Sequence, residues 1–178
     1  RIVSNADDDI MRMFNSEFDA FTDSDLDLYP EALRAEIDQV NNLVYPNIND
    51  GVYRAGFAMT QAAYEQAVRN LFAALGQLED RLAHQRYLVG DRPTEADWRL
   101  FTTLVRFDVV YYVHFKCNVR PIAGYPHLFA YLRDLYQQDG IAETVNFDHI
   151  KRHYYITHPD INPTRIVPLG PEMDLDAC

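Results

Sequence analysis

Apolar residues recur along much of the chain at helical rather than strand spacing. From Tyr64 they run Val68, Leu71, Phe72, Leu75, Leu78 and Leu82, one face of a helix of about six turns. Leu33, Ile37, Val40 and Val44 repeat the pattern after Pro30-Glu31, a proline and an acid suited to a first helical turn. Ile10, Met13, Phe14 and Phe18 do so in the opening segment, behind three aspartates placed where a helix N-terminus favours negative charge. Thr94-Glu95-Ala96-Asp97 reads as a capping-box variant, with hydroxyl and carboxylate each bonding the other residue's amide. The stretch it opens, Trp98 to Val113, is apolar on almost every face, as a buried helix is. Its charges, Arg99, Arg106 and Asp108, should be paired or lie near helix ends, because an unpaired buried charge is costly. Pro126 starts a last predicted helix through Leu128, Phe129, Leu132 and Leu135, ended by Gly140. Four of the nine prolines fall between Pro159 and Pro171, so residues 159–178 read as an irregular tail. Strand-like alternation is almost absent. The expected fold is all-α, five to seven helices around the one that Thr94 opens.

Composition narrows the function. The 178 residues suit one domain or a large fragment, and 48% apolar with 24% charged side chains is ordinary for a globular chain. Sixteen basic against 27 acidic residues give a net charge of −11, which repels phosphate backbones and anionic lipid heads. No nucleic-acid or membrane partner is expected, and the cytoplasm is the simplest compartment. Cys117 and Cys178 do not suggest a disulfide framework, and the start at Arg1-Ile2-Val3 reads as cut from a longer protein.

Few constellations carry chemistry. His149 and His153 are spaced to share a helical face, with His158 and Asp148 near, but the pair lacks the Glu of the protease pattern and no metal is expected. Cys117 beside His114 reads as an inert small hydrophobe. More telling, in a chain with twelve tyrosines, are two stretches that join tyrosine with backbone-permissive or polar neighbours. Asn49 to Ala58 reads as a turn between helices, with Gly51 and Gly56 bracketing Tyr53; Lys151 to His158 holds Tyr154 and Tyr155. Tyrosine can stack on a flat ligand ring while its hydroxyl donates or accepts. The plain alternative is half-buried packing.

Tyr87 to Asp97 resembles the capping-box signature of the glutathione transferase helical domain. Asn49 to Ala58, Arg99 to Asp108, His114 to Asn118, and Ile161-Asn162-Pro163-Thr164 through Gly170-Pro171 resemble the Xi class, the glutathionyl-hydroquinone reductases. The resemblance runs along essentially the whole chain in the family's order. It implies the all-α second domain over residues 1–178, with residues 1–6 a remnant of a thioredoxin-like domain and linker. That absent N-terminal domain would carry the catalytic cysteine in a Cys-Pro-Trp motif, so the chain alone should be inactive. The cysteine would attack the sulfur of a glutathionyl-hydroquinone, releasing the hydroquinone, and a second glutathione would resolve the mixed disulfide. The resemblance implies Tyr53 and Tyr154 as catalytic and substrate-binding residues, with His153, Tyr155 and His158 beside them. It also implies homodimerisation through the helical domain. Ala6 and Asp7 stand where the family has the Glu-Ser pair that holds the γ-glutamyl end of glutathione. That departure makes another low-molecular-weight thiol, such as mycothiol, an alternative co-substrate. A non-catalytic binding or scaffold module is the second reading.

Overall fold

The computed structural model describes residues 3–176. Among them are seven α-helices and no strand: α1 (Asp7–Ser16), α2 (Arg34–Val44), α3 (Gly51–Gly56), α4 (Gln61–Leu82), α5 (Glu95–Arg106), α6 (Pro126–Tyr136) and α7 (Phe147–Thr157). The all-α expectation therefore stands. No helix among these residues is long and apolar enough to cross a membrane.

Helix α5 forms the axis, burying Ala96, Leu100, Phe101, Leu104 and Val105 against α2 and α6. Its start is fixed by Asp97, whose carboxylate accepts from the Thr94 amide (2.7 Å), the Thr94 hydroxyl (2.9 Å), the Leu88 amide (2.8 Å) and the Tyr131 hydroxyl (2.8 Å). One buried side chain thus ties the helix to the preceding loop and to α6. Burial still pushes the Asp97 carboxyl above its ordinary range, against those four bonds. Asp108 acts similarly, accepting from the amides of Ile122 (2.6 Å) and Ala123 (3.0 Å). Arg99 pairs with Asp7, and Arg106 lies at the end of α5, so the three charges are accommodated as expected.

Helix α7 follows the helix that Pro126 starts, which is therefore not the last, and two further features of the fold depart from the sequence reading. First, Asn49 to Ala58 is not a turn: Tyr45–Asn49 is a π-helical segment and Gly51–Gly56 is helix. Pro46 has no amide proton and cannot continue a regular α-helix, so the backbone widens, with the Asp50 amide bonding the Tyr45 carbonyl (2.8 Å), and then resumes. Gly56 ends no chain direction; it admits the Phe115 ring, which would lie 2.3 Å from any Cβ added there. Second, α1 forms, yet none of its residues is buried, and Met13 and Phe14 stay exposed. Its inner edge is held instead by Arg12, which bonds Asp38 (2.7 Å) and Glu95 (3.0 Å).

The tail is irregular over the described part, and it is packed. Lys151 donates to the carbonyls of Pro168 (3.2 Å) and Leu169 (2.7 Å), and Leu175 is buried. Cys178 lies outside the described residues.

Candidate functional site

Tyr53 on α3 and Tyr154 on α7 are 101 positions apart, and the fold brings their hydroxyl oxygens to 2.5 Å. A third phenol completes the group: Tyr111 lies 2.8 Å from Tyr154 and 3.4 Å from Tyr53. Three hydroxyls carry three protons, and the two short hydrogen bonds use two of them, which leaves one to offer a ligand. Tyr154 and Tyr111 are buried whereas Tyr53 is 36% exposed, so Tyr53 is the member that meets solvent. Burial pushes the Tyr111 and Tyr154 hydroxyls up, and both keep their protons at neutral pH.

The sequence reading missed Tyr111 because it treated Trp98 to Val113 as one regular helix. The helix instead widens into a π-helical segment at Phe107–Tyr111, where the Tyr112 amide reaches back five residues to the Phe107 carbonyl (2.9 Å). The additional residue in that turn rotates the next side chains by about 100° relative to a continuous α-helix. Tyr111 is thereby turned toward Tyr53 and Tyr154. The Phe115 ring supports all three, stacked on Tyr111 with centroids 5.5 Å apart, and 5.5 Å and 5.9 Å from Tyr53 and Tyr154.

Tyr53 and Tyr111 stand on the wall of a cleft of about 300 Å³, together with Asp7, Trp98, Arg99, Thr102 and Arg106. Tyr154 is not on that wall; it sits behind, hydrogen-bonded to both. The other expected residues flank the phenols. His158 is 3.1 Å from His114, ring nitrogen to ring nitrogen, and its ring lies edge-on to Phe57. Burial, then the neighbouring His158, lowers His114 to about 4, and burial, then His153, lowers His158 also, which keeps the pair neutral at pH 7. His153 is exposed and touches the Tyr154 ring edge-on. Tyr155 packs on His114 and donates to the Val109 carbonyl (3.4 Å), turned into the core.

At the other end, Ala6 precedes α1 without a side-chain cap, and the Asp7 carboxylate is 3.0 Å from Arg99. Both residues also line a more polar cleft of about 590 Å³ with Asn5, Arg12, Asp38 and Asn42. A carboxylate at Asp7 would by itself repel the γ-glutamyl carboxylate of glutathione, and Arg99 offsets that charge. Cys117 is fully buried, and burial pushes its thiol up to about 12, so it supplies no thiolate at neutral pH. Among the described residues no group of three His, Cys, Asp or Glu gathers as it would around a metal.

Comparison with known proteins places this geometry in context. The family model for the glutathione S-transferase C-terminal domain matches residues 61–134. Glutathionyl-hydroquinone reductase YqjG of Escherichia coli K12 is 54% identical over 175 residues, which are 98% of this chain and 53% of that protein. The glutathione-bound structure of YqjG superposes with a TM-score of 0.95 at 53% identity, over 99% of this chain and 57% of that one. A Xi-class transferase from Natrialba magadii superposes at 0.93 and 58% identity, over 96% of this chain and 52% of that one. The chain spans about half the length of these relatives.

Proposed function

We propose that the chain forms the aromatic-substrate wall of a thiol-dependent glutathionyl-hydroquinone reductase of the Xi class, a reading supported by the match of residues 61–134 to the glutathione S-transferase C-terminal domain and by the likeness to the reductase and the Xi-class transferase above. The observation that carries this reading is the convergence of three phenol oxygens behind a cleft that also holds two guanidinium groups. The reading assigns the cysteine to a domain upstream of these residues in the whole protein; buried Cys117, its thiol pushed up, does not suit the role.

The reaction then runs in two balanced steps. The cysteine thiolate attacks the sulfur of the glutathionyl-hydroquinone; a sulfur–sulfur bond forms, the sulfur–carbon bond breaks, and its electron pair stays on the ring carbon. That carbon takes up one proton and leaves as the hydroquinone. A second thiolate attacks the mixed disulfide, giving glutathione disulfide and the free cysteine thiolate. Tyr53 offers the proton at the cleft. Tyr154, hydrogen-bonded behind it, stabilises the charge that develops on the Tyr53 oxygen, and Tyr111 supports Tyr154 in turn. Glutathione is the thiol in this account, supported by the glutathione-bound relative and by the offset of the Asp7 charge. The scaffold reading is not favoured, because a relative 54% identical bears the name of a reductase.

Tyr53→Phe and Tyr154→Phe in the whole protein should each lower turnover by roughly 10² or more, the scale of lost acid catalysis, with the helical circular dichroism unchanged. Unaltered kinetics in both variants removes the phenols from the reaction.

A further inference from the structure

Two arginines face the phenol cleft, and their surroundings differ. Arg99 has two carboxylate partners, Asp7 at 3.0 Å and Glu95 at 3.7 Å. Arg106 has none among the described residues; its Nη1 donates to the Thr102 carbonyl (2.5 Å), which occupies one of its five N–H donors. In a chain with 27 acidic side chains against 16 basic ones, acids are not scarce. The Arg106 charge nevertheless faces the cleft without one.

Its position says what kind of group it suits. Arg106 ends α5 and forms the partition, with Trp98 and Thr102, between the phenol cleft and a second cleft of about 420 Å³. That second cleft has Val105, Ile141, Val145 and Ile150 on its walls. A ring held at Tyr53 and Tyr111 thus shares its cleft with the Trp98 indole and the Arg106 guanidinium. The guanidinium fork matches a carboxylate in two parallel hydrogen bonds, and it holds its charge at any working pH. The positive charge also acts on Tyr154, where it opposes the upward push of burial.

We infer that the cleft takes hydroquinone-type rings bearing a carboxylate substituent, with Arg106 receiving that carboxylate while the phenols receive a ring hydroxyl. The inference rests on the proposed function and narrows its substrate class. A glutathionyl arm also carries carboxylates, but the one at its γ-glutamyl end, expected at Ala6 and Asp7, lies beside Arg99. Arg106 is seven residues further along the same helix, about two turns or roughly 10 Å away. The γ-glutamyl carboxylate thus has its own guanidinium, and the ring is the source we assign to the carboxylate at Arg106.

Calorimetric titration of the whole protein with 2,5-dihydroxybenzoate and with plain hydroquinone tests this independently of turnover. Wild type should bind the carboxylated ring at least about tenfold more tightly, as a charge-assisted pair provides. Arg106→Gln should bring the ratio of the two affinities close to one, and Arg106→Lys, which keeps the charge, should retain part of the preference. The ratio of kcat/KM for the glutathionyl adducts of the two rings should change in the same way. A wild-type protein without the preference, or an Arg106→Gln variant that keeps it, overturns the inference. So does an equal loss for both rings, which would assign Arg106 to the thiol arm or to the fold. If neither adduct turns over while the binding preference still depends on Arg106, the thiol-exchange reading fails and the carboxylate site stands.

Discussion

Gly56 couples the packing of the fold to the phenol trio, and its replacement by alanine gives a prediction whose sign helix propensity alone would reverse. An added Cβ lies 2.3 Å from Cδ1 and Cγ of Phe115 and 2.8 Å from Cδ2, where ordinary contacts begin at 3.4 Å. The ring would have to retreat by more than 1 Å, the difference between 3.4 and 2.3 Å. Phe115 is fully buried and packed among the rings of Tyr53, Tyr111, Tyr154, His114 and His158, so no open space receives it. Overpacking of this kind costs about 1–3 kcal/mol, while alanine in place of glycine returns at most about 1 kcal/mol, and less at the last residue of a helix. The net loss should be about 1–2 kcal/mol. Gly76, inside α4 with nothing within 4 Å of an added Cβ, is the control, and Gly76→Ala should stabilise by about 0.5–1 kcal/mol. Urea unfolding of both variants at unchanged m-value reads the difference. Pairing Gly56→Ala with Phe115→Leu, which shortens the clashing side chain, should recover part of the loss in a double-mutant cycle. A Gly56→Ala protein as stable as wild type would refute the close-approach argument.

Two further perturbations address what holds the site. Asp97→Asn keeps the shape but sets an amide group against the buried donors of Leu88, Thr94 and Tyr131; unfolding stability should fall by about 3 kcal/mol, and a fall below about 1 would show that the loop and α6 are held without it. His114 is held at about 4 against an ordinary 6.5, so the unfolded chain takes up a proton in that interval that the folded chain does not. Stability from this group is complete above about pH 6.5 and falls by up to about 3 kcal/mol as the pH drops toward 4. The stability profile of His114→Gln should accordingly be flatter than that of wild type, and parallel profiles would contradict a buried neutral imidazole.

How much of the fold and the site is legible in the sequence depends on how local each cause is. The α4 stripe and the start of α5 depend on spacing and on one capping pair, and both appear where expected. Helix α3 is hidden because glycine signals a turn when only neighbouring residues are considered, whereas Gly56 is required by Phe115, 59 positions later. The apolar stripe of α1 predicts the helix but not its exposure, since a periodic pattern does not say what covers it. Tyr53 and Tyr154 are reached through the family resemblance, and their juxtaposition is a tertiary fact. Tyr111 is obscured by a π-helical turn that leaves no mark in hydrophobic spacing. Arg106 is recognisable as a charge at a helix end, but that it has no carboxylate partner among the described residues, while Arg99 takes Asp7 and Glu95, emerges only from the fold.

Reception of one aromatic ring at the phenol trio would be seen in a crystal structure of the whole protein with a hydroquinone bound. A ring hydroxyl should lie within hydrogen-bond distance, about 2.6–3.2 Å, of the Tyr53 oxygen, with Tyr154 still bonded behind it. A ring seated instead in the separate apolar cleft of about 330 Å³ beside Met11, Phe14 and Tyr29, with the three phenols untouched, would contradict it.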